Sequence, residues 1–376
     1  MMKRTILAVF CIVLAGVMLS ACGERGSDIS QVTPSETEER VSIAIVDSIG
    51  LELGDSDYVF ANIVAVEHGP DGNIYVLDQG AYSLLVYSPT GEFIRRIANQ
   101  GSGPGELLMP FAMAVLGDGR VAVCDPMQGG INNFSSDGQW EGVSAEFNNN
   151  PPMRMSGADS NAFVALKLTI EFEGPPVTVF TIGRYEEDSE PTAIYYRDEF
   201  PFDPEDLTEL LNRTLFSAEY TADRDGNVYL TPMSTEDYIV QVFDRDGNLT
   251  LEFQREMDRV EKSAEEIAEE KLWMEAWLTS IGAQGVLIEY EPNPYRFLTT
   301  DIGYDSQNRI WVRRGTELVP VFDVYDMDGE LLFTAEVEGT GEDAQWWDFI
   351  IDEHGMIAYS LNPDFFHKIW IMELPE

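Results

Sequence analysis

Few residues in this sequence are of types that catalyse reactions or bind metal ions, and the first candidates are two carboxylates. Asp78 and Asp125 each follow the second short apolar run of a repeated unit, so we expect them at one rim of the fold. Carboxylates that converge there could hold a cation such as Ca²⁺, the one cofactor that this pattern suggests. Alternatively, each carboxylate accepts hydrogen bonds from the loop that follows it. Two later units have Thr231 and Arg313 at this position, so a symmetric carboxylate ring is not predicted.

The chain contains three histidines, and their positions predict neither a zinc site nor a catalytic site. His68 and His354 each stand between a glutamate and a glycine, and this shared context makes them turn residues. Because they belong to different units, we expect them to be too far apart to share a metal ion. His367 adjoins two phenylalanines and is expected to pack. No Ser-His-Asp spacing or Cys-His pair stands out, so no catalytic residue is predicted.

Two tryptophans are candidates for ligand contact. Trp273 and Trp277 lie one helical turn apart, beside an apolar stripe with helical spacing that runs from Val260 to Ile281. They could form an aromatic platform or lid for a ligand. We prefer the interpretation that they bury against the host domain. The adjacent Trp346 and Trp347 fall on opposite faces of a predicted strand, so at most one is expected in the core.

The N-terminus predicts export and lipidation. Two basic residues precede a short apolar run, Ile6–Leu19, and the sequence Leu-Ser-Ala-Cys then ends at Cys22. This is the pattern of a secretory signal peptide, assigned to residues 1–21, and it resembles the bacterial lipobox. The resemblance implies lipidation of Cys22, whereas an ordinary signal with a chance cysteine is the alternative. In a Gram-negative cell, Gly23 after the lipidated cysteine implies that the protein is sorted to the outer membrane, where it would face the periplasm or the surface. Residues 22–40 are predicted to be a flexible tether.

The charge balance excludes one class of partner. The chain has 23 basic and 67 acidic side chains, a formal net charge of −44, so it repels a phosphate backbone and nucleic acid is excluded. Excess acid with scarce lysine suits a saline environment, and a cation-binding surface is the alternative. Cys124 lies in an apolar strand and is the one cysteine expected in the folded domain, so no internal disulfide is predicted.

A recurring order of motifs predicts the elements that position these residues. The loop Gly101–Glu106 precedes two apolar runs that flank Asp118-Gly119, and the same order returns between Gly329 and Tyr359. Apolar runs around an Asp-Gly pair are a strong hairpin signal. The same order and spacing of motifs in two distant parts of the chain indicate a repeat. Each unit supplies four short antiparallel strands, which is the composition of one propeller blade.

The units number six, and the last has only three strands of its own. The spare strand at Val41–Val46 can complete it and close the ring without an exposed edge. Helical periodicity interrupts the pattern at about 258–283, between units four and five, with a capping box at Ser263. A shorter helix is predicted after Asp203. The predicted fold is therefore all-β, a six-bladed β-propeller over residues 41–376 with a helical insertion.

With these motifs, the chain resembles the NHL-type six-bladed β-propellers and, more narrowly, the bacterial lipoproteins known only as six-bladed β-propeller proteins. The resemblance covers about residues 41–372 and is carried by Gly101–Asp125, Asn62–Asp78 and Asn308–Val312. These motifs specify the fold and not the activity, because propellers include lyases, lactonases, receptors and scaffolds.

We predict a lipid-anchored, exported binding module that takes a protein, peptide or glycan on one face, through its loop rims and helical insertion. The membrane is a predicted partner through the anchor only. The alternative is a metal-assisted hydrolase or lyase with carboxylate ligands at the central channel. The resemblance implies histidine ligands for a lyase and a convergent set of Glu, Asn and Asp for a lactonase, and the sequence locates neither.

Overall fold

The structure is a computed structural model that describes residues 30–32, 40–144, 147, 150–172, 174–186, 188–203, 208–280, 290–362 and 366–375. The predicted signal peptide, Cys22 and most of the predicted tether lie outside these residues. So do the last residues of the predicted insertion, from Ile281, and the first turn of the helix predicted after Asp203.

Two strands precede the blades, β1 (Ser30–Val32) and β2 (Arg40–Ile49). Blade one consists of β3 (Ile63–His68), β4 (Ile74–Asp78), β5 (Ser83–Tyr87) and β6 (Phe93–Gln100), with the short β7 (Glu106–Leu107) added to β6 in parallel. Blade two consists of β8 (Ala112–Val115), β9 (Val121–Asp125), β10 (Gly130–Phe134) and β11 (Trp140–Val143). Blade three consists of β12 (Arg154–Gly157), β13 (Phe163–Glu171), β14 (Val177–Tyr185) and β15 (Ala193–Pro201).

The second half of the chain repeats this arrangement. Blade four consists of β16 (Ala218–Ala222), β17 (Val228–Pro232), β18 (Tyr238–Phe243) and β19 (Leu249–Arg255), with β1 added to β19 in parallel. Blade five consists of β20 (Thr299–Tyr304), β21 (Ile310–Arg314), β22 (Val321–Tyr325) and β23 (Leu331–Val337). Blade six consists of β24 (Trp347–Asp352), β25 (Gly355–Ser360) and β26 (Ile369–Glu373), with β2 as its fourth strand.

The described strands form a closed ring, which confirms the predicted architecture. Each innermost strand contacts the next, in the order β3, β8, β12, β16, β20, β24 and back to β3. The second half of β2 pairs antiparallel with β26, from Ala44–Glu373 to Ile49–Ile369. Its first half pairs in parallel with β23, from Arg40–Thr334 to Ile43–Val337. The closing strand predicted at Val41–Val46 is therefore present, and it joins blades five and six as well as completing blade six.

The core lies between neighbouring blades. All residues of β4, β5 and β9 are buried, because the faces of each blade are covered by the blades on either side. The predicted Asp-Gly turns link these strands. In one of them, Gly119 has φ 84° and donates its N–H to Leu116 O at 2.8 Å. A glycine adopts this left-handed conformation without steric cost, which explains its place in the motif.

Two helices interrupt the strands, α1 (Thr208–Leu215) between blades three and four and α2 (Ala264–Ser280) between blades four and five. The predicted capping box is present, since Glu266 N–H donates to Ser263 Oγ at 3.2 Å and Ser263 N–H donates to Glu266 Oε2 at 2.9 Å. Both helices precede an innermost strand. We call this end of the ring, where innermost strands begin, the upper face, and the opposite end the lower face. None of the described helices is long and apolar enough to cross a membrane.

Candidate binding site

Asp78 and Asp125 lie at the upper ends of β4 and β9, where both are completely buried. Asp78 accepts three backbone N–H hydrogen bonds at 2.9 to 3.0 Å. Asp125 accepts four, from the loops on either side of it. Each carboxylate therefore anchors a loop. Among the described residues, no three His, Cys, Asp or Glu side chains are placed to hold a metal ion, and the Ca²⁺ assignment stays a prediction.

The two candidate tryptophans of α2 belong to an aromatic stack on the upper face. Trp273 is 8% exposed, and its ring stacks on Trp277 with centroids 6.4 Å apart and on Trp346 with centroids 5.1 Å apart. Its Nε1–H donates to Leu361 O at 3.2 Å. Trp273 therefore fixes α2 to the propeller, while Trp277 and Trp346 remain half-buried. Trp347 packs in the core, stacked on Trp370.

A cavity of about 120 Å³ lies next to this stack, between α2 and the upper ends of blades four, five and six. Three aromatic side chains contribute to its wall, Phe216, Phe297 and Trp346. The rings of Phe216 and Phe297 stack with centroids 5.3 Å apart. The remaining wall is mostly polar and charged. The wall thus combines an aromatic surface with many polar and charged groups.

The charged groups of the wall are arranged as ion pairs. Lys262 pairs with Glu270, which also accepts a hydrogen bond from Tyr290 Oη at 2.5 Å. Arg296 Nε lies 2.7 Å from Glu266 Oε1. Burial raises the pKa of Glu266, but hydrogen bonds from Arg296 and from the Ser263 cap outweigh burial and lower this pKa to about 2. Glu266 is therefore ionised at neutral pH, and its pair with Arg296 holds α2 against the ring.

Two residues of the wall, Arg313 and Thr300, also contain a polar atom that is inaccessible to solvent and has no partner among the described residues, Arg313 Nε and Thr300 Oγ1. Arg313 is 3% exposed, and its other guanidinium nitrogens are engaged. Its Nη1 donates to Asp301 Oδ2 at 3.0 Å and to Trp347 O at 2.7 Å. A buried donor without an acceptor costs about 1–3 kcal/mol.

A second set of charged residues lines the upper part of the central channel. Arg154 of β12 pairs with Glu219 of β16, and Asp348 of β24 interacts with both electrostatically. Burial raises the pKa of Glu219 to about 7, although Arg154 opposes this shift. Burial also raises the pKa of Asp301, although Arg313 favours its ionised form. A carboxyl group with a pKa near 7, such as that of Glu219, is suited to acid–base chemistry.

On the lower face, His68 and His354 are neighbours, whereas we predicted them to be too far apart to share a metal ion. Their rings lie 5.7 Å apart in an edge-to-face arrangement. Both oxygens of Asp352 lie 3.0 Å from His68 Nδ1. His354 follows the innermost strand β24, as predicted for a turn residue, whereas His68 is the last residue of β3. The error arose because closure of the ring makes the first and the sixth blades neighbours.

Three side chains cross the lower end of the channel, and we call Glu67, Arg224 and Glu353 the lower clasp. Glu67 of blade one accepts the N–H of Val115 at 2.6 Å and that of Gly157 at 3.1 Å. Arg224 of blade four donates to the backbone oxygens of Val115 and His68, at 2.6 and 2.7 Å, and lies 3.4 Å from Glu353 Oε1. Tyr304 of blade five also donates to Glu353. The clasp thereby connects all six blades.

The sequence did not single out most residues of the cavity. Lys262, Arg296 and Gln345 come from separate segments, so no motif spacing connects them. Arg313 was noted only because it breaks a carboxylate ring. One signal was available, since the inserted helix covers part of the upper face and carries the tryptophans that adjoin the cavity.

Comparisons with known proteins agree with the fold. A family model described as a 6-bladed beta-propeller matches residues 26–145. This confirms the resemblance to six-bladed propellers. No curated protein is significantly similar to the chain.

Solved structures of similar fold include a member of the DUF4221 family from Bacteroides vulgatus, with 11% identity, a TM-score of 0.48, and 90% of this chain and 99% of that chain covered. A putative exported protein from Bacteroides fragilis has 10% identity and a TM-score of 0.45 over 93% of this chain and 100% of that one. Virginiamycin B lyase from Staphylococcus aureus has 11% identity and a TM-score of 0.45 over 88% of this chain and 99% of that one. Similarity of this degree carries no argument about ligand or activity.

Proposed function

We propose that this six-bladed propeller is an exported binding module of the cell envelope, anchored through Cys22, that takes a protein, peptide or glycan on its upper face. The observation that carries the proposal is the cavity beside α2, whose wall combines Phe216, Phe297 and Trp346 with charged and polar side chains.

The position of the cavity supports the same proposal. Loops and inserted elements of a propeller vary without disturbing the blades, so ligand sites are readily built on them. Here α2 is fixed by Trp273 and by its pair with Arg296, so one wall of the cavity is held rigidly against the ring. A rigid wall lowers the entropic cost of binding.

An acid–base enzyme is the second candidate, and the channel carboxyls are the observation that favours it. Glu219 has a pKa raised to about 7 and lies near Asp348 in the channel. The arginine partners of Glu219 and Asp301 reduce the capacity of these groups to bind a cation. A metal-assisted hydrolase or lyase would have to displace those arginines.

A thermal-shift screen of the purified chain tests the proposal. Calcium, magnesium, zinc and a chelator are compared with peptides and glycans at fixed salt. A ligand at a hundred times its Kd stabilises by about 2.7 kcal/mol, which is readily measured. We expect a peptide or glycan to raise the melting temperature, and Gln345→Ala in the cavity wall to reduce that shift. The control Gln139→Ala, which alters an exposed glutamine of blade two, should leave it unchanged.

Two results would contradict the binding proposal. One is a divalent-ion shift that the chelator reverses and that Glu219→Gln abolishes, which would move the function to the channel and to chemistry. The other is a ligand shift of equal size in the Gln345→Ala and Gln139→Ala variants, which would place the binding site elsewhere on the propeller.

A further inference from the structure

We infer that the lipid anchor leaves the ring at the lower end of blade four, so that this edge lies nearest to the bilayer and the upper face is turned away from it. This inference rests on the anchor at Cys22 that the proposed function includes, and it adds how the binding face is presented. Three features carry it: the direction of β1, the length of chain before β1, and the acidic charge of the protein.

The strand β1 fixes the chain to the side of the ring. Ser30–Val32 belong to the segment predicted to be a tether, and they pair in parallel with Phe253–Arg255 of β19. β19 is the outermost of the four strands of blade four and runs from the lower to the upper face. Because β1 is parallel to β19, the N-terminal end of β1 points towards the lower face.

The chain before β1 is short. Cys22 precedes Ser30 by eight residues, which span at most about 29 Å when fully extended. Without β1, the first paired residue would be Arg40, and the eighteen residues after Cys22 would span up to about 65 Å. Pairing of β1 with blade four therefore more than halves the distance over which the anchor can move.

This reach does not allow the upper face to lie on the bilayer. To point upwards, the chain before β1 would have to reverse, and a β-turn takes four residues, which leaves four residues that span about 14 Å. Ser30 pairs with Phe253, so two residues of β19, about 7 Å, remain above it. The helix α2 adds a layer of about 10 Å on that face. The lower end of β19 at Leu249 is about 13 Å from Phe253 and lies in the direct path of the chain.

The charge of the protein does not oppose this arrangement. The chain carries a net charge of −44, so the anionic headgroups of a bilayer repel the protein as a whole. The point at which the anchor leaves the ring then determines the orientation. The cavity beside α2 is thereby presented to the compartment into which the protein projects.

Energy transfer from the protein to the bilayer tests the inference. The mature, lipidated protein is reconstituted in zwitterionic vesicles that contain a lipid with an energy acceptor on its headgroup. A donor fluorophore is attached to Leu249→Cys at the lower end of blade four or to Leu272→Cys on α2, and both leucines are exposed. Cys124 is buried and the lipid occupies the thiol of Cys22, so labelling is confined to the added cysteine. We expect transfer from Leu249→Cys to be the more efficient of the two.

A variant without β1 separates the role of this strand from that of the anchor. Ser30→Pro, Gln31→Pro and Val32→Pro together remove the backbone donors of β1. We expect the two transfer efficiencies to become similar in this variant, because the anchor is then held only from Arg40. Ser30→Ala, Gln31→Ala and Val32→Ala together keep the backbone pairs and are the matched control, in which the original difference should remain.

Equal or more efficient transfer from Leu272→Cys in the otherwise unsubstituted protein overturns the inference. So does a proline variant that folds and keeps the original difference. Both results leave the proposed ligand site intact, because the thermal-shift screen measures that site separately. A mature protein that does not bind the vesicles at all overturns the inference and the proposed anchor together.

Discussion

The buried carboxyl of Glu67 makes the stability of the ring depend on pH. The channel leaves part of this side chain accessible, yet protein surrounds it closely. Burial raises the pKa of Glu67 from 4.5 to about 7, even though the N–H groups of Val115 and Gly157 and the charge of Arg224 favour the ionised form. Because the pKa is higher in the folded state, the stabilising contribution is complete below pH 4.5 and is lost as the pH rises through about 7.

The size of the effect follows from these two pKa values. A shift from 4.5 to about 7 makes the contribution about 2.5 kcal/mol at pH 5 and nearly zero at pH 8.5. Glu67→Gln removes the titration and keeps the shape of the neutral side chain. We therefore expect the free energy of unfolding of the variant, relative to the unsubstituted protein, to rise by about 2.5 kcal/mol between pH 5 and pH 8.5.

Urea denaturation of both proteins at half-unit pH intervals measures this difference. Glu52→Gln is the control, because Glu52 is exposed and its substitution should give a curve parallel to that of the unsubstituted protein. A difference between Glu67→Gln and the unsubstituted protein that stays constant across this range would refute the reasoning. It would mean that the hydrogen bonds to Glu67 outweigh burial and that the carboxyl is already ionised at pH 5.

Three further outcomes are expected. Gly157→Ala would place a methyl group 1.9 Å from Val115 O, so we expect the free energy of unfolding, measured by urea denaturation, to fall by more than about 3 kcal/mol. Gly174→Ala is the control and should change stability little, because a methyl group there would have nothing within 4 Å. Ile49→Ala should cost about 2–5 kcal/mol, because this 1% exposed side chain packs where β2 closes blade six; a thermal midpoint equal to that of the unsubstituted protein would contradict this. Cys22→Ala should release the mature protein from membranes on fractionation, and continued retention would exclude a lipid anchor at this residue.

The sequence predicted the architecture because the fold depends on local, repeated signals. Turns such as Asp118-Gly119 specify hairpins through backbone conformation alone, and the capping box of Ser263 and Glu266 specifies the start of α2 in the same way. The closing strand was also predictable, since a blade with three strands leaves an unpaired edge that costs stability.

The candidate site was much less predictable, because it depends on which distant segments meet. The pairing of Arg296 with Glu266 and the presence of Arg313 in the cavity wall follow from how α2 packs on the ring, which no periodicity encodes. Likewise, the sequence placed His68 and His354 at equivalent positions without showing that the ring makes them neighbours. A sequence repeat predicts which residues occupy equivalent positions in different blades. The closure of the ring determines which blades are neighbours.

The position of β2 has a consequence for the order of folding. Arg40 and its partner Glu336 are 296 residues apart, so the first strand of the ring to be synthesised pairs with some of the last. A chain is synthesised from its N-terminus, and β2 therefore waits unpaired until blades five and six have followed. Contacts of such long sequence separation form slowly, and unpaired edges favour aggregation meanwhile. We therefore expect ring closure to be the slow step in the folding of this protein and the step that depends on chaperones.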